Sequence, residues 1–209
     1  MKQPEQISTA IAQFQQMNSL SQTRSTSLAK PEQEKLLAIK QKFGTQDQFL
    51  QKVNPQTQSA FAMKQEFAVM GDYPTLTDIC LTYGKTFSEQ WLYPQIVDVA
   101  LFTGVKNLNK EQVRSLASVI AVEYRFLKVT ELLLFFHRFK TGRYGRFYGS
   151  VDPMVITCAL REFMRERNDM IAQYEQERRE RESESKEPTM THEEYLKLKE
   201  QEQSKLEQK

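Results

Sequence analysis

Thr130–Gly142, TELLLFFHRFKTG, is the stretch that decides the fold. Five consecutive apolar residues, Leu132–Phe136, cover more than one helical turn. A helix beginning at Thr130 therefore has no polar face there and belongs at the centre of other helices. Gly142 supplies its C-terminal stop. Upstream, Asn109 followed by Gln112 has the form of a capping box. Val113, Leu116, Ala117, Ile120, Ala121 and Tyr124 then recur with helical spacing. Downstream, Asp152-Pro153 pairs an N-cap with proline at the first helical position. The helix it opens carries Val155, Ile156, Ala159, Leu160, Phe163, Met164, Ile171 and Tyr174. Past Tyr174 the sequence EQERRERESESKE is wholly polar, held as a helix only by pairs such as Glu177–Arg181. Pro188 breaks it. Thr191 with Glu194 opens a last helix whose apolar side chains are Tyr195, Leu196, Leu198 and Leu206.

Toward the N-terminus the same signals predict more helices. Thr75 caps one through Tyr83, with Asp78 as the capping-box partner. Ser88 starts another carrying Trp91, Leu92, Ile96, Val97, Ala100 and Leu101, with a break or kink at Pro94 and an end at Gly104. Pro31 opens a helix with Leu36, Leu37 and Ile39 that Gly44 stops; Thr45 caps a short one through Leu50. Asn54-Pro55 opens one with Phe61, Ala62, Phe67 and Met70 as its apolar side and Gly71 as its stop. The first thirty residues are rich in Gln, Ser and Thr, with too little apolar surface to offset ordering entropy. The expected fold class is all-α. Residues 1–30 form a disordered, flexible arm with a transient helix at Pro4–Met17. Residues 31–71 are a helical arm that either docks or acts as a spacer, 72–175 a compact helical core, and 176–209 a long charged helical tail.

Charge and composition narrow the function classes. The chain has 209 residues, with 29 Lys plus Arg against 27 Asp plus Glu, a net charge of +2. That balance excludes a grossly basic nucleic-acid coat and a grossly acidic mimic. Residues 121–171 carry 9 basic and 6 acidic side chains, whereas 172–209 carry 8 and 11. No apolar run is long enough to span a membrane, and no apolar signal segment opens the chain. The expected setting is the cytoplasm. Cys80 and Cys158 read as small core residues with no zinc spacing. His137, inside an apolar run, reads as a half-buried core histidine. Glu123 and Glu131 are too isolated to form an acid/base pair. Walker A, GxSxG and HExxH motifs are missing from the sequence. The expectation is a non-enzymatic protein without cofactor or metal.

The stretch that could carry chemistry is His137–Asp152, HRFKTGRYGRFYGSVD. Arg138, Lys140, Arg143 and Arg146 have no acid among them until Asp152. Phe139, Tyr144, Phe147 and Tyr148 interleave with the cations, and Gly142, Gly145 and Gly149 free the backbone. Short hairpin pairing of Arg143–Tyr144 with Phe147–Tyr148 is open to it. Cations bind phosphates and aromatic faces stack on bases, so the loop has the composition of a single-stranded nucleic-acid contact. Arg161, Arg165 and, less closely, Arg167 extend the basic run along the last core helix. Two other readings stand beside this one. The aromatics cap the core while the loop arginines are solvated, with Arg161, Arg165 and Arg167 paired along their own helix with Glu162, Glu166 and Asp169; or the loop binds protein.

The block LNKEQVRSLASVIAVEYRFLKVTELLLFFHRFKTGRYGRFYGSVDPMVITCALREFMRERN, within residues 72–172, resembles a family of small helical proteins from gut-bacterial phages and mobile elements. FFHRFKTGRYGRFYGSVDP followed by ALREFMRER carries most of the resemblance. The layout is also similar to that of phage helicase loaders and replication accessory proteins: a small helical domain with polar arms and no ATPase motifs. The resemblance implies an accessory protein of phage or mobile-element DNA replication in a bacterial host cell. It would touch single-stranded DNA through Arg138, Lys140, Arg143, Tyr144, Arg146, Phe147, Tyr148, Arg161 and Arg165, and a replication protein such as a helicase through its helical arms. The alternative is a protein-binding adaptor or structural protein with no nucleic-acid contact. Nothing in the sequence sets the oligomeric state.

Overall fold

The computed structural model describes residues 30–104, 109–145, 152–184, 195–197 and 199. The expectations for the first 29 residues, for Pro188, for the Thr191–Glu194 cap and for Leu206 lie outside them. Among the described residues the architecture is all-α, with no strand and one isolated antiparallel bridge between Thr75 and Lys128. The helices are α1 (Lys30–Phe43), α2 (Gln46–Lys52), α3 (Gln58–Met63), α4 (Gln65–Met70), α5 (Leu76–Tyr83), α6 (Phe87–Phe102), α7 (Lys110–Glu123), α8 (Val129–Lys140) and α9 (Pro153–Glu184).

Helix α8 is the axle. Val129 through Phe136 are buried without interruption, as are Arg138 and Phe139. Around it pack α3, α4, α6 and α9, while α6 carries α7 and α5, and α5 carries α1. Each fully buried Leu or Phe here contributes roughly 1.5–3 kcal/mol relative to exposure. Phe135 sits at the focus, its ring 5.2 Å from Phe136, 5.8 Å from Phe139 and 5.6 Å from Phe163 between centroids.

The start of α8 falls one residue before the Thr130 start read from sequence. The helix begins at Val129, with Lys128 at the cap position and Glu131 accepting the Lys128 backbone N–H at 2.8 Å. Thr130 is wholly buried and donates its hydroxyl to the Ala68 carbonyl at 2.7 Å. Lys128 reaches the Val69 and Gly71 carbonyls, each at 2.8 Å. The first turn of α8 is thus fastened to α4 rather than capped by its own threonine.

Residues 31–71 belong to the same core, contributing Ile39, Phe43, Phe49, Val53, Ala68 and Val69. The Trp91 indole donates to the Val53 carbonyl at 2.7 Å, so α6 is tied to this region by a buried polar contact as well. The single helix expected after Asn54 is divided into a 3-10 turn (Pro55–Thr57), α3 and α4, with the break at Lys64 (φ −124°, ψ 60°). The break turns Ala68 and Val69 inward and leaves Phe67 half exposed. Helix α6 runs unbroken past Pro94. Thr75 and Asp78 form the expected capping box on α5, and Asn109 caps α7 through Oδ1. Cys158, expected in the core, is exposed; Cys80 is half-buried, its thiol near the Lys85 carbonyl at 3.2 Å.

Candidate functional site: the charged cluster at the root of the loop

The last turn of α8 delivers the basic loop to the middle of α9. Gly142 (φ +77°) and Gly145 (φ +108°) take left-handed backbone that a side chain would strain, and they turn the chain sharply after Thr141. Arg143 and Tyr144 lie in this turn, not in a strand. Arg146, Phe147 and Tyr148, with the rest of the hairpin expectation, fall outside the described residues.

Glu166 of α9 collects the loop root. Its Oε2 accepts from Arg138 Nη1 at 2.7 Å and from the Tyr144 hydroxyl at 3.1 Å, while Oε1 accepts from Arg143 Nε at 2.7 Å. The Arg138 side chain is only 7% exposed. Its Nη2 donates to Gln65 Oε1 and approaches Met170 Sδ at 3.7 Å, and its guanidinium lies 5.8 Å from the Phe163 ring centroid. The Tyr144 ring stacks on Phe135 at 5.8 Å with 29° between planes. Burial, and then the Glu166 carboxylate, push the Tyr144 hydroxyl's pKa well above its usual value. The hydrogen bond to Glu166 raises Arg143 further above its ordinary range. Lys140 is used elsewhere, with Nζ 2.7 Å from Asp98 Oδ2 and 5.7 Å from the Phe102 ring centroid.

A second buried ion pair lies beside this cluster. Arg167 Nε donates to Glu131 Oε1 at 2.6 Å, and the Glu131 side chain has no solvent exposure. Burial pushes Glu131 upward, opposed by the Lys128 N–H and by Arg167. Arg167 therefore turns into the core and leaves the face on which the sequence placed it with Arg161 and Arg165. Those two are exposed and make no ion pair among the described residues. The structure brings Arg138, Arg143 and Tyr144 together on one carboxylate, sends Lys140 to Asp98, and gives Arg161 and Arg165 no bond to that carboxylate among the described residues. The sequence reading weighed Glu131 only as half of an acid/base pair and missed its ion pair, although an acid directly preceding Leu132–Phe136 has to find a cationic partner.

His137 is half-buried, and burial followed by the nearby Lys140 charge lowers its pKa. No group of three or more His, Cys, Asp or Glu among the described residues is arranged to hold a metal ion. No described helix is long and apolar enough to cross a membrane. An open groove of about 640 Å³ lies between the α3–α4 corner and Tyr174, lined by Met63, Phe67 and Met70.

Residues 108–204 match a family of unknown function, DUF6633. The matched span holds α7, α8, the loop root and α9, and it leaves out α1 through α6. No curated protein and no solved structure matches the chain.

Proposed function

We propose that this chain is a protein-binding helical adaptor. The observation that carries the reading is the inward use of the loop root: Arg138, Arg143 and Tyr144 converge on Glu166, and Lys140 pairs with Asp98. Cations held this way have exchanged water for carboxylate partners and are poorly placed to release counterions from a phosphate backbone. Helix α9 supports a spacer role for its far end. Beyond Tyr174 its described side chains are exposed, joined by the pairs Glu175–Arg179, Glu177–Arg181 and Arg178–Glu182. At about 1.5 Å per residue the whole helix spans roughly 48 Å.

A second reading, an accessory role in phage or mobile-element DNA replication with single-stranded DNA and a helicase as partners, draws support from Arg161 and Arg165, which are exposed and make no ion pair among the described residues. Affinity capture of the tagged full chain, with and without nuclease, separates the two. The adaptor reading expects a protein partner retained after nuclease. Loss of every partner on nuclease treatment, with labelled single strands bound in a salt-dependent manner, would overturn it in favour of the second reading.

A further inference from the structure

We infer that the groove between the α3–α4 corner and Tyr174 holds the chain's own N-terminal segment, Pro4–Met17, docked as an amphipathic helix. The inference goes beyond the adaptor reading and does not depend on it. Met63, at the end of α3, is 87% exposed, and Phe67 on α4 is 49% exposed. Together with Met70 they give the groove its apolar side on α3 and α4, and Tyr174 contributes from α9. The Phe67 ring is already fixed, edge to face on Tyr73 at 5.5 Å between centroids. It therefore loses little side-chain freedom when something covers it. The volume of about 640 Å³ leaves room for a row of apolar side chains. The charged residues of the lining are Lys64 and Glu66, one of each sign. An occupant thus gains from apolar area and nothing from net charge.

The sequence holds one segment of that chemistry outside the described residues. Ile7, Ala10, Ile11, Phe14 and Met17 recur at i, i+3, i+4, i+7 and i+10, which is one face of a helix. The other face is Gln, Ser and Thr with Ala12, and Glu5 is the sole charge from Pro4 to Met17. Pro4 and Glu5 suit a first helical turn. A helix this short is marginal in water by itself, so burying its stripe supplies the stabilisation it lacks. The helix expected after Thr191 does not fit the same groove. Glu193, Glu194, Lys197, Lys199 and Glu200 crowd its turns, and Tyr195 and Leu196 are exposed.

The connection reaches. Lys42, near the end of α1, donates to the Asp72 carbonyl at 3.0 Å, next to Gly71 in the groove lining. From Lys42 back to Lys30 the helix rises about 18 Å, so the start of α1 lies within roughly 30 Å of the groove. Residues 18–29 join Met17 to Lys30 and extend to about 40 Å. A tether of that length holds the segment at an effective concentration on the order of millimolar, so even a weak intrinsic affinity fills the groove. A protein partner that enters this groove has to displace the segment first.

The test is amide hydrogen exchange on the full chain, read by mass spectrometry at two protein concentrations. Relative to intrinsic rates, amides 7–17 should exchange roughly tenfold more slowly than amides 19–29. Met63→Asp in the groove and Ile11→Asp in the segment should each return 7–17 to the rate of 19–29. Gln13→Asp, on the polar face of the segment, should leave the protection in place. Met63 is exposed, so the amides of α8 should keep their protection in Met63→Asp, which separates undocking from unfolding. Exchange of 7–17 as fast as 19–29 in the parent chain overturns the inference. So does protection that survives Met63→Asp, which would mean a helix formed elsewhere. Protection that grows with protein concentration also overturns it and gives the groove to a second copy.

Discussion

Glu166→Ala tests whether the loop root is a structural anchor. The substitution removes the acceptor for Arg138 Nη1, Arg143 Nε and the Tyr144 hydroxyl at once. The three contacts differ in weight. Arg143 is half exposed, so its pair contributes on the order of 0–1 kcal/mol. Tyr144, stacked under the loop, would hold a half-buried hydroxyl without its partner, which costs about 1 kcal/mol or more. Arg138 dominates, because its side chain is 7% exposed and would keep Gln65, Met170 and the Phe163 ring but no carboxylate among the described residues. Removing one partner of a buried pair costs about 3–5 kcal/mol, and the 28% exposure of Glu166 places the total near the lower end, about 3 kcal/mol. For a chain of this size that lowers the melting temperature by roughly 6–12 °C. Arg143→Ala should cost no more than about 1 kcal/mol. Arg138→Met combined with Glu166→Ala should recover much of the loss, since the stranded charge is gone and the thioether fills the space. Denaturant titration of the four proteins gives the double-mutant cycle. A loss under about 1 kcal/mol for Glu166→Ala, or no recovery in the double variant, would refute the anchor.

Three further outcomes follow from the packing. Leu133→Ala and Phe163→Ala should each cost about 2–5 kcal/mol in thermal or urea melts, whereas Leu101→Ala, at an exposed position, should change stability by less than about 0.5 kcal/mol. Burial raises the Asp78 carboxyl, but hydrogen bonds from Lys35 and Thr75 outweigh it and hold the folded value below normal. The stability it adds is therefore present above its unfolded pKa, about 3.9, and lost as pH falls through the folded value; Asp78→Asn should flatten that acid limb in pH-dependent melts. Glu180→Pro lies beyond the last core contact of α9, so it should reduce helical circular dichroism while leaving the melting temperature of the core in place.

Much of the helical framework is readable along the chain because caps and apolar stripes are local. Thr75 with Asp78, Asn109 with its next turn, and Asp152-Pro153 fix helix starts through side chains within three residues of the backbone groups they satisfy. The misreadings occur where a distant partner outbids the local one. Thr130 opens the helix in the sequence reading, but its hydroxyl goes to the Ala68 carbonyl, which lies within reach only after α4 has folded against α8. Cys158 has apolar sequence neighbours, yet the core of α9 is set by Ile156, Ala159, Leu160 and Phe163, and the helical phase points the thiol outward.

The charged residues show the same limit more sharply. Sequence order places Arg138, Lys140 and Arg143 in one acid-free run, which reads as free positive charge. Yet Glu166 lies 28 positions after Arg138, and Asp98 lies 42 before Lys140. Helical phase then divides α9. Glu166 faces the loop root and Arg167 faces Glu131, while Arg161 and Arg165 remain outward. The charge available to a partner is thus what remains after the core has claimed its pairs.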